Sequence, residues 1–562
     1  MVYPEPIALM AEPTARGRRW RLFERPRAEL RADEIEDVVA VLEQTDRERR
    51  RGLWAVGFLA YEAAPAFDAA LVTRAPSGPL ALWRLYDAPR ELSDQEAWSW
   101  LEARAEKRTP RGSQRWRTLV HDERYLAALE EVRRRIAAGA VYQVNVTFPL
   151  EEEHVRESGA AAGLFLGLDA MQRAPWAALV DGPGPKLCSA SPELFFARRG
   201  TRVMSKPMKG TAPRGRYAAE DVERARELAS SRKDRAENLM IVDMIRNDLG
   251  RIARPGSVEV ERLFEAERYP TVHQMTSTVT ARSDATTLEI LAALFPCASI
   301  TGAPKVTAMA AIRDLEPESR GVYTGTLGWI SPEGDSAFNV AIRTAWRASP
   351  EHPFRYGVGS GVVWDSEPRR ELEECRVKAR VLVEESRPFE LLETLLWRPR
   401  SGFALLCEHL ERMAASADFF GYPWDEARAL RGLEEAVALR GEPGRVRLLL
   451  DAAGRVRCEV GPAPPRRVLW RLGVDSEPVD LSGPWAWHKT TRREIYDRAL
   501  ERAPTDCDDV VLWNERGELT ETTRANLVLR VDGRWLTPTL DAGLLAGTLR
   551  RRLLERGRIE EA

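Results

Sequence analysis

The sequence predicts two units: a large α+β unit with β-sheets flanked by helices, then a smaller α/β unit. Three observations lead there. At 562 residues the chain is too long for one core, which sets a prior of two to four domains. Helix-period and strand-period patterns alternate along residues 120–383. A charged, helix-ending junction, Glu385-Ser386-Arg387-Pro388, then precedes a new strand-like start, FELLETLLW. The units are therefore placed at 1–385 and 389–562.

Within residues 1–110, Leu53–Tyr61 and Ala81–Tyr86 read as strands among helical patterns. A polar stretch, Glu106–Arg115, leads to an amphipathic helix over Asp122–Ala138, which Gly139 ends. Val141–Leu150 alternates as a strand does. One helix is expected over Ala218–Leu249, before the Pro255-Gly256 break, and another over Pro368–Glu384. Gly461–Pro465 and Ser476–Pro484 mark loops in the second unit.

Composition narrows the class. A net charge of −2 gives no nucleic-acid footprint, and the Arg47–Arg51 run reads as a solvated helix face. No apolar run reaches the ~18 residues of a membrane span, and the N-terminus lacks a signal-peptide core, so a cytoplasmic protein without membrane partners is expected. The six cysteines form no CxxC pair and no HExxH occurs, against a disulfide frame or a zinc site.

Of 84 basic residues only eight are lysine. Arginine does not deprotonate, so a retained lysine is a candidate for a site that needs an amine. Lys107 and Lys186 read as chance survivals; Lys209, in KPMKGTAPRG, and Lys489, in WHKTTRREIY, do not.

Glu371, Glu374 and Lys378 share a helix face by their spacings of three and four, downstream of a glycine-rich stretch, GVGSGVVWDSEP. The glycines, Gly357, Gly359 and Gly361, lack dinucleotide-fingerprint spacing but let backbone approach a ligand. Glu237, on AENLMIVDMIRNDLGR, adds a carboxylate from a second helix, and hard oxygen donors beside an anionic substrate favour Mg²⁺. Arg343 and Lys378 are candidates to hold a substrate carboxylate. TGAPK, with Thr301 and Gly302, lacks phosphate-loop spacing, and its backbone reads as an oxyanion or carboxylate cradle.

Together VYQVNVTFPL, SASPELFF, KPMKGTAPRG, KDRAENLMIVDMIRNDLGR, YPTVHQMTSTV, LFPCASITGAPK, RGVYTGTLGWI, FNVAIRT and GVGSGVVWDSEPRRELEECRVKAR resemble the chorismate-utilising enzymes, over about 120–385. Residues 1–110 are similar to that family's variable N-terminal part. The resemblance implies the family's α+β fold and chorismate as substrate. Lysine at 209 resembles the aminodeoxychorismate synthases, where anthranilate synthases carry a small residue. It implies that Lys209 attacks C2 of chorismate, that the C4 hydroxyl leaves with a proton from Glu193, and that ammonia resolves the covalent adduct by adding at C4. Such a lysine must be neutral, with its pKa lowered by burial or by cations such as Lys206. The resemblance further implies Glu237 and Glu374 as Mg²⁺ ligands with Glu371 nearby. Gln143 stands where isochorismate-type enzymes carry a basic lysine, which argues against water as the nucleophile. His273 orients the ring or is a satisfied core histidine. No glutaminase nucleophile is found, so the resemblance implies a glutamine amidotransferase subunit acting in trans.

In the second unit, EHLERMAASADFFGYP, WAWHKTTRREIYD, LWNERGELTETTRANLVL and TPTLDAGLLAGTLRR resemble the class IV aminotransferase-fold enzymes that use pyridoxal 5'-phosphate, over about 389–552. That resemblance implies Lys489 as the Schiff-base lysine, Glu521 against the pyridine nitrogen, and Arg412, Thr548 and backbone N–H groups of Thr522–Arg524 on the phosphate. It also implies a homodimer through this unit. Fold alone does not choose transamination over elimination. Fusion to a chorismate-utilising unit favours elimination of pyruvate to 4-aminobenzoate, for folate synthesis. The family pattern continues beyond the residue at which this sequence stops, so a C-terminally shortened unit that acts only as a scaffold stays open, as does an anthranilate synthase.

Overall fold

The computed structural model describes residues 5–15, 17–105, 115–153, 160–382, 389–463, 465 and 469–562. Two compact units emerge: Met1–Pro213 with Ala225–Ser386, and Arg214–Arg224 with Arg387–Ala562. The Glu106–Arg115 stretch falls almost wholly outside the described residues.

The first unit is built on two antiparallel sheets. One runs in the order Gly302–Ala303, Gln143–Glu152, Arg355–Val362, Thr344–Arg347, Lys186–Ser191, Trp176–Asp181, Ile7–Thr14, Gly17–Glu24, Arg90–Ser93. The other runs Met208–Pro213, Val272–Arg282, Arg202–Lys206, Leu194–Arg199, Ser336–Val340, Thr326–Ile330, Trp54–Leu59, Ala81–Tyr86, Ala28–Ala32.

Side chains alternate between two cores, as strand geometry requires. From Ile7–Thr14, Ala8 and Met10 join one core while Ile7, Leu9 and Ala11 join the other. Trp54–Leu59 divides likewise, Val56 and Phe58 against Ala55 and Leu59. The smaller core lies between sheets, and the larger one takes in the helices, including Leu129 and Val132, Ile241 and Ile245, and Leu372.

The expected helix after the polar stretch is Asp122–Ala137, burying Tyr125, Ala128, Leu129 and Val132 at spacings of three and four. Acidic residues start it and Arg134 and Arg135 finish it, matching the helix dipole. The single helix expected over Ala218–Leu249 is instead two, Ala218–Ser230 and Arg232–Gly250. Ser231 divides them: its hydroxyl accepts the backbone N–H of Asp234, which caps the second helix. Leu53–Tyr61 is a shorter strand, Trp54–Leu59, followed by a 3-10 turn, Tyr61–Ala66. Pro368 opens a helix that runs to Ala379. Lys186 is no chance survivor; it is buried and ion-paired with Asp181.

In the second unit, Gly402–Phe403, Leu391–Arg398, Gly444–Leu450 and Val456–Pro462 form a sheet. The helices Leu406–Phe420 and Glu426–Val437 pack on it through Leu391, Leu395, Leu410, Met413, Leu433 and Val446. Two three-stranded sheets follow, and in the last Glu560–Glu561 pairs in parallel with Arg534–Thr537. No described helix is long and apolar enough to cross a membrane.

Candidate active sites

In the first unit, Lys209 lies on the edge strand Met208–Pro213. Burial pushes its ammonium toward the neutral amine, Glu237 and Glu193 oppose this, and Lys378 adds to it. Lys206, the expected cation, is paired with Glu267. Glu193 precedes the strand Leu194–Arg199 and is 2% exposed. Burial raises its carboxyl to about 7, against a hydrogen bond with Ser299 and the field of Lys209.

Gln143 and Lys209 meet over Gly361. A Cβ at Gly361 would lie 2.6 Å from Gln143 Nε2 and 3.0 Å from Lys209 Nζ. Gln143 is buried, and its Oε1, like Glu193 Oε1, has no protein partner. TGAPK is not a free loop: Gly302 and Ala303 pair with Val144 and Gln143. Gly302 has φ of +148°, and a Cβ there would sit 2.1 Å from the Gln143 carbonyl. Thr301 is fully buried, and its hydroxyl donates to the carbonyls of Cys297 and Ala298.

Arg320, missed in the sequence, ties this edge together. Its guanidinium donates to Ile300 O at 3.0 Å and Asn145 O at 2.7 Å, and it pairs with Glu316 through Nε and Nη2 at 2.9 and 2.6 Å. Glu316 in turn accepts the Thr147 N–H at 2.8 Å.

Glu371, Glu374 and Lys378 lie on the helix Pro368–Ala379. Lys378 pairs with Glu374 at 2.6 Å and donates to Gly359 O at 2.8 Å. Arg343, in a left-handed conformation at φ +52°, donates to Lys378 O at 2.8 Å. Burial opposes ionisation of Glu374, but Lys378, Lys209 and Arg343 hold its pKa low. Glu237 moves the other way: burial, Asp234 and Glu371 raise it against Lys209 and Lys233. Among the described residues no three ligand-type side chains converge closely enough to hold a metal ion. The hard-oxygen donors of Glu237 and Glu371, each in the other's field, fit a small divalent cation chemically. His273 is buried on the neighbouring strand, opposite Ala212.

In the second unit, Lys489 is fixed at its backbone, its carbonyl accepting the Leu392 N–H at 2.9 Å. Burial lowers its pKa, Arg412 and Arg493 contribute, and Glu393 and Glu521 oppose. Glu521 is buried, its carboxyl raised to about 7, and it accepts from Tyr496 OH at 2.8 Å and Asn526 Nδ2 at 3.1 Å. Arg412 bonds Glu393 and donates to Ala546 O at 2.9 Å. Thr548 opens the helix Thr548–Glu555. At Gly547 a Cβ would lie 1.8 Å from Asn526 Oδ1, so only glycine allows this close approach. The backbone N–H groups of Thr522, Thr523 and Arg524 are already taken, by Ala525 O, Asp509 Oδ1 and Thr522 Oγ1. A buried amine, a buried carboxyl and an arginine beside a glycine-lined turn fit pyridoxal phosphate.

Glu393, His409, Tyr496 and Ser299 also went unread. Only Glu393 had a signal: a carboxylate between Leu391 and Leu395 on the inward face of a strand.

A family model described as chorismate binding enzyme matches residues 5–384, and one for class IV amino-transferases matches 390–561. An aminodeoxychorismate synthase from Streptomyces griseus is 43% identical over 47% of this chain and 36% of its own length. Aminodeoxychorismate synthase component 1 from Klebsiella aerogenes is 38% identical over 51% of this chain and 63% of its own. The chain thus spans less than two thirds of these relatives. A solved anthranilate synthase component I from Streptococcus pneumoniae TIGR4 covers 68% of this chain and 93% of its own at a TM-score of 0.55 and 21% identity, a likeness of fold alone. With more than half of its length matched, and with a class IV aminotransferase segment behind the match, the chain belongs to the chorismate binding enzymes.

Proposed function

We propose that the first unit converts chorismate and ammonia to 4-amino-4-deoxychorismate and water, and that the second eliminates pyruvate from that product to give 4-aminobenzoate. One observation carries the first step: Lys209 is biased toward the neutral amine while Glu193 retains its proton up to about pH 7. The Lys209 amine adds at C2, and both ring double bonds shift, the second one toward C4, as the C4–O bond breaks. Glu193 protonates the departing hydroxide to water. Ammonia then adds at C4, the C2–N bond breaks, and the surplus proton returns to Glu193. Gln143 Oε1, unpartnered and buried, offers an acceptor to substrate or nucleophile but no base for water. Arg343 and Lys378 would receive a substrate carboxylate, which would compete for Lys378 with Glu374. Thr301, Gly302 and Gly359 would form the substrate cradle, and His273 lies on the strand next to that of Lys209. Glu237 and Glu374, with Glu371 nearby, would offer oxygen donors to Mg²⁺, which would neutralise substrate charge, although the three carboxylates do not converge in this structure. Ammonia is assigned to a glutamine amidotransferase acting in trans, in keeping with relatives named component 1.

In the second unit Lys489 would bind pyridoxal phosphate and move the proton, Glu521 would face the pyridine nitrogen, and Arg412 and Thr548 would hold the phosphate. The cofactor supplies the electron sink for elimination.

The test is to incubate the purified chain with chorismate, Mg²⁺ and ammonium, with and without pyridoxal phosphate. Cofactor-dependent 4-aminobenzoate with pyruvate supports both units. Aminodeoxychorismate that accumulates regardless of the cofactor reduces the second unit to a scaffold, and anthranilate overturns the reading of Lys209.

A further inference from the structure

Glu393 belongs to no role assigned so far. It sits on Leu391–Arg398 facing inward, 1% exposed, yet it is fully bonded. Oε1 accepts from Arg412 Nε at 2.7 Å, and Oε2 accepts from Arg412 Nη2 and His409 Nδ1, each at 2.7 Å. The Arg412 contact is a fork-on-fork pair, which fixes the guanidinium plane. A third donor, Nη1, reaches Ala546 O at 2.9 Å. A guanidinium has five N–H donors, so these contacts leave two for a ligand.

His409 is set by the same carboxylate. With Nδ1–H given to Glu393, the Nε2 lone pair faces Thr548 Oγ1 at 3.5 Å. One buried charge therefore orients both residues proposed to hold the phosphate. It also neighbours the amine, since Leu392 N bonds the Lys489 carbonyl and Glu393 is the strongest of the charges opposing the Lys489 shift.

We infer that Glu393 is a positioning residue that, through Arg412 and His409, sets the second unit's selectivity for a phosphorylated cofactor. This rests on the reading that the unit holds pyridoxal phosphate. If Glu393 only braced its strand against the helix Leu406–Phe420, its loss would lower stability without touching phosphate selectivity.

The experiment compares pyridoxal phosphate with pyridoxal, which lacks the phosphate, by visible absorbance titration of the full chain. The parent should prefer the phosphorylated form. Glu393→Gln keeps the shape and loses the charge; it should cut that preference about tenfold or more while pyridoxal binding changes little. Preference at the parent level overturns the inference. Should Glu393→Gln fail to fold by circular dichroism, His409→Gln carries the test with the same expectation and the same overturning result. A parent chain that takes up neither compound overturns the reading of the unit and the inference with it.

Discussion

Lys209 and Glu193 are shifted in opposite directions, the lysine toward lower basicity and the carboxyl up to about 7. Each lies in the other's field, which alone would favour an ammonium beside a carboxylate, but burial outweighs that attraction at both groups. The proposed first step needs this arrangement: an amine free to attack and an acid able to give a proton. Synthase activity should therefore fall as pH rises through about 7, where Glu193 loses its proton. Glu193→Gln should remove that limb and slow the reaction about 10²- to 10⁴-fold. A pH–rate profile of both proteins checks it; an unchanged limb in the variant assigns the titration elsewhere.

Lys209→Ala should lower aminodeoxychorismate formation by about three orders of magnitude or more, since no other group replaces a covalent nucleophile. Product analysis decides, and full activity in the variant excludes the lysine adduct.

Gly361→Ala separates geometry from stability. The added methyl would press on the ends of Gln143 and Lys209, which can move, and not on backbone. Unfolding should change little while kcat drops about 10²-fold from misplacement of the amine. Equal losses in both would mean that the methyl disturbs the sheet instead.

Glu316→Gln should cost the first unit about 3–5 kcal/mol, because Arg320 would remain buried with its charge uncompensated. Denaturant unfolding followed by tryptophan fluorescence measures it. A loss below about 1 kcal/mol would place the pair in effectively solvated surroundings.

Lys489→Ala should remove the visible absorbance of lysine-bound pyridoxal phosphate and stop 4-aminobenzoate release, leaving the synthase step intact. Release at the parent rate would overturn the elimination assigned to this unit.

The sequence exposes these elements unevenly. Asp122–Ala137 is legible because it carries a complete amphipathic pattern. Trp176–Asp181 is not, since Ala177 and Leu179 face one core and Ala178 and Val180 the other, which leaves an apolar run with no alternation. The break at Ser231 turns on one hydroxyl within a continuous helical pattern. Lys209, Glu193 and Glu237 stand in recognisable motifs. That Lys206 pairs with Glu267, that Gly302 pairs with Val144, and that Glu393 holds Arg412 are long-range facts that no local spacing encodes.

With arginine carrying nearly all the positive charge, the chain holds only eight side-chain amines. Among the described residues, Lys186, Lys206, Lys233, Lys305 and Lys378 are held in ion pairs, and burial depresses the basicity of Lys209 and Lys489. Isotope-labelled lysine would thus give a nuclear magnetic resonance spectrum sparse enough to titrate amine by amine. The two proposed reaction centres would be read in one sample, each by its own ionisation, without substrate.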